Sequence, residues 1–450
     1  MRWNRRENGK MLFLSIDFGT SAVKMSLMDE KLETKCWSKE AYHYQIFPGE
    51  KNELREADLF RAFYGAASRL NQDLLKKVEM VCYDTFSPSP VFLDQDGSLV
   101  YPNIITHLDR RSRAQTEYID RVFGSRRYME IAGIYPFPGG CSAMMLLWMR
   151  QNMPDILDKT YAVGHLPTYI HKKLTGKWMV DFVNASMIGM YETTTQGGWS
   201  EELIREFGLR KDLFGEIYSP GMVHGTLVEE VAHRLGVPAG ISVCVGTNDV
   251  AAAQMGAGNR TAGEIMNTTG SSEMVSILTD RPKTSPDYYL RNAALPGLWQ
   301  IYVTTCGGFG VDWFYSQFCQ DLSQEEFYAF EERAIEQYLQ SGQLEVTFDP
   351  YLAGDRQSLE KRTGAWHGLT LATKREDLLV AYLIGIQQVM TAAIDRAEQV
   401  TKLKGTVKIS GGMATESYLR LKERFYQGMA FDVVDDCPIR GNVELAKYYM

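Results

Sequence analysis

The sequence predicts an α/β protein, and three observations carry that expectation. Strand-length apolar runs alternate along the chain with longer segments of helical period. A hairpin with a small, polar tip occurs once in each half. Hydrophobic residues make up 45% and charged residues 23% of the 450 positions, enough apolar material for two or three packed domains.

The elements follow in order. Residues 11–17 are an apolar run of strand length that ends on a carboxylate. Phe18-Gly19-Thr20-Ser21 supplies turn formers, and Val23, Met25 and Leu27 alternate in the return strand. Residues 142–152 and 167–174 read as helices. Pro167 suits a first turn, where no N–H is needed, and Gly176 suits a C-cap. Ile241, Val243 and Val245 alternate as a strand that leads through Gly246-Thr247-Asn248-Asp249 into a run of small residues ending at Gly258. The second hairpin spans 263–278, with Thr268-Thr269-Gly270-Ser271-Ser272 at its tip. Thr373 and Glu376 have capping-box spacing, and Leu379, Leu383, Ile386, Met390 and Ile394 follow at helical period. Residues 406–409 form a last strand before Ser410-Gly411-Gly412-Met413. Motif order places a boundary between residues 11–258 and 259–450.

Composition narrows the function. The net charge of −8 argues against a dedicated nucleic-acid surface. Seven scattered cysteines without a CxxC pair suit core thiols in a reducing compartment. The basic start, residues 1–10, precedes an apolar run too short for a signal segment, and no other stretch approaches 18 apolar residues. The expectation is a cytoplasmic protein with no membrane partner; a homodimer is left open.

Five places carry candidate chemistry. Asp17 followed by Gly19, Thr20 and Ser21 offers a carboxylate for hydrated Mg²⁺, with backbone and hydroxyl donors for phosphate. Thr268, Thr269, Gly270 and Ser271 offer the same device in the second half. Either tip read alone is also a plain turn; the pair, in order, suggests a clamp on a polyphosphate. Gly411-Gly412, with Met413, is a close-approach turn over which a flat base could pack, and equally a structural turn. Asp249 is placed to orient an attacking hydroxyl and take its proton, or to cap a helix. Asp109 and Arg111 have the acceptor and donor chemistry to bind sugar hydroxyls, and also that of a salt-bridge cluster.

Taken together these residues resemble the FGGY carbohydrate kinases, a family within the actin-like ATPase fold. The resemblance runs from about Leu12 to Ala446. Asp17 to Thr20 resembles the first phosphate motif. Leu93 to Gly97 and Leu108 to Ser112 resemble a sugar-binding stretch. Lys173 to Gly176, Asp181 and Asn184 to Ser186 resemble a following segment. Gly246 to Asp249 resembles the motif of the catalytic base, Thr269 to Ser272 the second phosphate motif, Tyr351 to Arg356 a glycine-arginine motif, and Ser410 to Gly412 the adenosine motif. The resemblance implies two ribonuclease-H-like domains flanking a deep cleft, with ATP mainly on the C-terminal one and the sugar on the N-terminal one. It implies ATP and Mg²⁺ as cofactors, Asp249 as base, and a small sugar or polyol such as a pentulose as substrate.

Three departures bear on the substrate, one of them Val250 after Asp249, where xylulose kinases carry Asn and glycerol kinases Gln. Residues 85–89 replace a Gly-Gln-Met-His-Gly-like stretch of xylulose-kinase-like members, so Ser87 and Pro88 stand as substrate candidates. His107 replaces a tryptophan two residues before Asp109. A non-catalytic sugar or nucleotide sensor, and an actin-like ATPase or phosphatase using water, are the competing readings.

Overall fold

The computed structural model describes residues 11–352, 354 and 362–450. The basic start and, within the glycine-arginine motif, Ala353, Asp355 and Arg356 lie outside the described residues.

The first hairpin pairs Leu12–Phe18 with Ala22–Asp29, and Thr34–Ala41 adds a third antiparallel strand. Met80–Thr85 then lies parallel to Leu12–Phe18 on the other side, and Ser242–Cys244 lies parallel to Met80–Thr85. The second hairpin repeats this plan. Ile265–Thr269 pairs with Ser272–Thr279, and Trp299–Cys306 is the third antiparallel strand. Thr406–Ser410 lies parallel to Ile265–Thr269, and Ala430–Val433 parallel to it in turn. Two sheets with one strand order therefore face each other across a cleft, the ribonuclease-H-like duplication the resemblance implies.

Each sheet buries residues on both faces, which is why its strands read as near-continuous apolar runs. Glu56–Ser68 packs Leu59, Phe63 and Ala66 against the first sheet. Arg375–Glu398 packs Leu379, Leu383, Ile386 and Met390 against the second. That second helix is the one segment among the described residues long and apolar enough by length and composition to cross a bilayer, though Gln387 and Gln388 break its apolar run well short of 18 residues. Its window is 61% buried inside the protein. Its start also differs from the expected Thr373–Glu376 box: Lys374 N donates to Asp377 Oδ2 at 2.8 Å, so the helix begins one residue later. Pro167 and Gly176 bracket the helix Leu166–Thr175 as their chemistry suggests, Gly176 in the left-handed region. None of the seven cysteines is in a disulfide.

Two helices join the halves. Asp249–Gly256, leaving the first sheet, crosses Cys437–Tyr448, which returns from the second. The crossing is tight because glycine stands on both sides: a Cβ on Gly441 would lie 1.7 Å from the Ala252 carbonyl oxygen, and one on Gly256 would lie 1.9 Å from that of Cys437. The helix Cys437–Tyr448 seats on the first sheet, where Ser15 Oγ donates to Ile439 O at 2.8 Å and Asn442 Nδ2 donates to Ile16 O at 3.2 Å.

Candidate active site

Both hairpin tips open on one cleft of about 440 Å³. At the first tip Gly19 N donates to Ala22 O at 3.0 Å, and the Tyr42 hydroxyl donates to Gly19 O, so the third strand fastens the turn. At the second tip Gly308 N donates to Gly270 O at 2.9 Å and Phe309 N to Ser271 O at 3.0 Å. Glycine is required at 307, where a Cβ would sit 2.6 Å from Glu273 N. The tips are thus held from behind by backbone hydrogen bonds. Thr20, Ser21, Thr268, Gly270 and Ser271 line the cleft with Asp17 and Gly19. Thr269 does not line it; its hydroxyl is buried without a partner.

Two carboxylates, Asp17 and Asp249, line the cleft, and a third, Asp84, is buried beside Asp17. Asp17 and Asp84 are direct neighbours in adjacent parallel strands. Burial pushes Asp17 up to about 6 and holds Asp84 well above the carboxylate range, with the Asp17 charge adding to the effect. Asn442 Nδ2 donates to Asp84 Oδ2 at 2.6 Å, but Asp17 Oδ1 and Asp84 Oδ1 have no partner. Asp249 is pushed up to about 7 by burial and then by the Asp17 charge. Asn248, not Asp249, caps the helix, accepting from Val250 N and Ala251 N. Asn248 Nδ2 donates to Asp249 Oδ1 at 2.7 Å and Val250 N to the same oxygen at 2.8 Å, which leaves Oδ2 for another group. The cap function therefore falls to a neighbour.

Not every expected residue reaches the cleft. Asp109 and Arg111 are buried behind it: Arg111 Nε donates to both Asp109 oxygens at 3.0 Å, and its Nη groups reach Glu53 and the Tyr101 hydroxyl. Asp109 also accepts from Asn52 N at 2.8 Å. Their matched charges close on each other and pin the segment, whose neighbours His107, Leu108 and Arg110 line the cleft instead. Gly411, Gly412 and Met413 do not line this cleft either. Their turn is exposed and abuts the second hairpin, with Met413 N donating to Thr269 O at 3.0 Å. Gly411 has φ 129°, and a Cβ there would lie 2.4 Å from Thr269 O, so the approach needs glycine. Ser87 and Pro88 do line the cleft.

Ser87 belongs to a buried polar chain. Its Oγ donates to Asn184 Oδ1 at 2.7 Å, and His165 Nδ1 lies 2.8 Å from the same oxygen. Asn184 Nδ2 donates to Asp181 Oδ2 at 2.8 Å, and Thr247 Oγ1 donates to Asp181 Oδ1 at 2.9 Å. Because Asn184 Oδ1 accepts only, His165 carries its proton on Nδ1, and Nε2 accepts from Ser142 Oγ at 2.8 Å. Burial lowers His165 to about 4, keeping it neutral. One helix, Phe182–Ile188, thereby ties the Ser87 wall to the strand that delivers Asp249.

Sequence reasoning missed Tyr42, Tyr44, Arg291 and the Gly307-Gly308-Phe309 turn. The last could have been found as a glycine pair after an apolar strand. Arg291 could not, because its neighbours in the cleft come from distant parts of the chain.

A cleft between duplicated ribonuclease-H-like sheets, floored by carboxylates and flanked by two donor-rich hairpins, defines a kinase of the actin-like ATPase fold. Residues 12–256 match the family model for the FGGY family of carbohydrate kinases, N-terminal domain. The chain belongs to the FGGY carbohydrate kinases. It is 23% identical over 422 residues to a gluconokinase of Bacillus subtilis (strain 168), covering 90% of this chain and 81% of that one. It is 26% identical over 426 residues to a xylulose kinase of Lactococcus lactis subsp. lactis (strain IL1403), covering 91% and 82%. The fold is similar to that of a gluconate kinase from Lactobacillus acidophilus, with a TM-score of 0.87 at 19% identity over 98% of this chain and 89% of that one.

Proposed function

We propose that this carbohydrate kinase transfers the γ-phosphate of ATP to a hydroxyl of a small sugar or polyol by in-line displacement, with Asp249 as general base. The observation that carries the reading is Asp249 itself: a half-buried carboxylate, raised to about 7, in the cleft that both hairpin tips line. A base with that affinity takes a hydroxyl proton near neutral pH and returns it readily. Kinases of this family use ATP as phosphate donor. The tips would hold its phosphates through Gly19, Thr20 and Ser21 on one side and Thr268, Gly270 and Ser271 on the other. The exposed Gly411-Gly412-Met413 turn lies behind the second tip, where the nucleoside would extend.

The floor fits a hydrated divalent cation. Asp17 Oδ1 is buried without a partner beside a second carboxylate, an arrangement that gains from positive charge. No cluster of three or more His, Cys, Asp or Glu with metal-holding geometry occurs among the described residues, and Mg²⁺ commonly takes one or two protein carboxylates plus waters. Asp17 would be the ligand, and the cation's charge would favour the ionised form of the adjoining Asp84. Bound there, the cation would neutralise charge developing between the β- and γ-phosphates.

A division near residue 258 assigns sugar binding and the base to the first part and nucleotide binding to the second. Closure of the two would exclude water, so that the substrate hydroxyl attacks. The relatives are named for gluconate and xylulose, so their names alone do not choose among substrates for this chain.

The test is a coupled ADP-release assay with Mg-ATP against ketoses, aldoses, polyols and sugar acids. Wild-type turnover should depend on one acceptor class, and Asp249→Ala should lower kcat by about 10²–10⁴-fold while ATP binding persists. Acceptor-independent ADP release would favour the water-using reading. ATP binding without turnover on any acceptor would favour the sensor.

A further inference from the structure

We propose that the Tyr44 hydroxyl positions the acceptor, donating to an oxygen on the carbon next to the one that is phosphorylated. The inference rests on the kinase reading above and names the group that decides which hydroxyl attacks.

Tyr44 follows Thr34–Ala41, the third strand of the first sheet, and lines the cleft. Tyr42, two residues before it, is bound at both ends: its N–H donates to Ser21 O at 3.0 Å and its hydroxyl donates to Gly19 O. The chain leaving the strand is thereby fastened to the first phosphate turn. The rings of Tyr42 and Tyr44 lie 6.3 Å apart. Phe86 holds the Tyr44 ring from a second segment at 5.8 Å, and His107 from a third at 6.5 Å, edge-on. All four rings line the cleft. A ring seated among three others keeps one orientation, so its hydroxyl has a fixed aim.

That hydroxyl is the unusual part. Tyr44 is half-buried as a residue, yet its oxygen is fully buried and has no hydrogen-bond partner among the described residues. Two other hydroxyls of the cleft are spent: Tyr42 on Gly19 O, and Ser87 Oγ on Asn184 Oδ1 at 2.7 Å. A buried phenol without a partner forfeits a hydrogen bond, and a ligand in the cleft restores it. Burial first, and then the Asp249 charge, holds the Tyr44 phenol well above its ordinary range. The group therefore remains a donor and lies within the field of the base.

The chemistry selects which acceptor oxygen it meets. The attacking hydroxyl turns its proton to Asp249 Oδ2, the oxygen left over by Asn248 and Val250, and a lone pair to phosphorus. A donor on that same oxygen would draw electron density away from the attack. A donor on the neighbouring oxygen instead fixes rotation about the carbon–carbon bond between the two, which turns one hydroxyl toward the base. Tyr42 and Tyr44 thus let one short segment serve both substrates, the first through the phosphate turn and the second through the acceptor.

The experiment uses Tyr44→Phe, which keeps the ring and removes the hydroxyl. The probes are the best acceptor of the panel above and its monodeoxy analogues, with Mg-ATP. Tyr44→Phe should lower kcat/KM for the parent acceptor by about 5–30-fold. KM for ATP should stay within about twofold, and the melting temperature should be unchanged or higher, since no protein hydrogen bond is lost. Wild type should lose a similar factor on one monodeoxy analogue, and Tyr44→Phe should treat that analogue and the parent alike within about twofold. A kcat/KM in Tyr44→Phe within twofold of wild type would overturn the proposal and leave the kinase reading intact. So would a variant that penalises every monodeoxy analogue as wild type does. A lowered melting temperature with an equal loss toward ATP would assign the hydroxyl to the fold instead. Absence of acceptor-dependent ADP release by wild type across the whole panel would remove the kinase reading and this refinement together.

Discussion

Asp249 shows how one side chain acquires a working affinity for protons. Its helix gives it two donors on Oδ1, from Asn248 Nδ2 and Val250 N, which favour the charged form. Burial and Asp17 outweigh them and raise it to about 7. A base must be ionised to act, so kcat/KM should fall about tenfold per pH unit below about 7 and level off above it. A pH–rate profile flat from pH 5.5 to 8 would remove Asp249 as base. The same shift acts on folding with a stated sign. A carboxyl whose folded value lies above its unfolded one favours the folded state most below about pH 4. That contribution is lost as the pH rises through about 7. Legibility at this scale was uneven. Asp17 and Asp249 are visible because each sits at a strand end before small residues. Asp109 and Arg111 were misplaced because residue type and spacing do not reveal that Glu53 and Tyr101, more than 50 residues upstream and 10 upstream of Arg111 respectively in sequence, arrive to absorb them.

Among elements, the second hairpin has the more unusual support. Glu273, next to its tip, forms an ion pair with Lys422, and both side chains are fully buried. Lys422 Nζ also donates to Gln387 Oε1 at 2.8 Å, and the Tyr418 hydroxyl to Glu273 Oε2 at 3.2 Å. The hairpin is thereby tied to the helices Arg375–Glu398 and Glu416–Glu423. Removing one partner strands the other charge in the core, so Lys422→Met should cost roughly 3–5 kcal/mol in urea unfolding. If enough protein folds, KM for ATP should rise more than KM for the acceptor. A loss under about 1 kcal/mol would mean that the pair is solvated in solution. Hairpins and long helices were readable because their apolar periods are local. Lys422 was not, since a lysine on an amphipathic helix looks like a solvated one until tertiary packing places it beside Glu273.

At the level of the whole molecule, the duplicated strand order was legible only as two similar hairpins. The parallel strands that complete each sheet come from far along the chain, and no local pattern says which edge they join. Nor did the small-residue run ending at Gly258 disclose its partner. The partner is Gly441, and the crossing it permits sets how the halves meet. Gly441→Ala should force the helices apart, because a methyl group 1.7 Å from the Ala252 carbonyl has no room. The expected outcome is a destabilisation of about 1–3 kcal/mol by urea unfolding and a fall in kcat exceeding any change in KM for either substrate. Wild-type kcat in this variant would show that closure does not depend on the crossing.

That crossing also sets an order of events during synthesis on the ribosome. Strand Leu12–Phe18 emerges well ahead of its cover: Ser15 waits 424 residues for Ile439. Elongation at about 5–20 residues per second makes that interval roughly 20–90 s. Once made, Met11, Phe13, Met80 and Cys82, which end up beneath Ile439 and Val443, lack their cover until its end. The nascent first half therefore carries a sticky face until Ile439 and Val443 are made, and its folding is completed by residues of the second half.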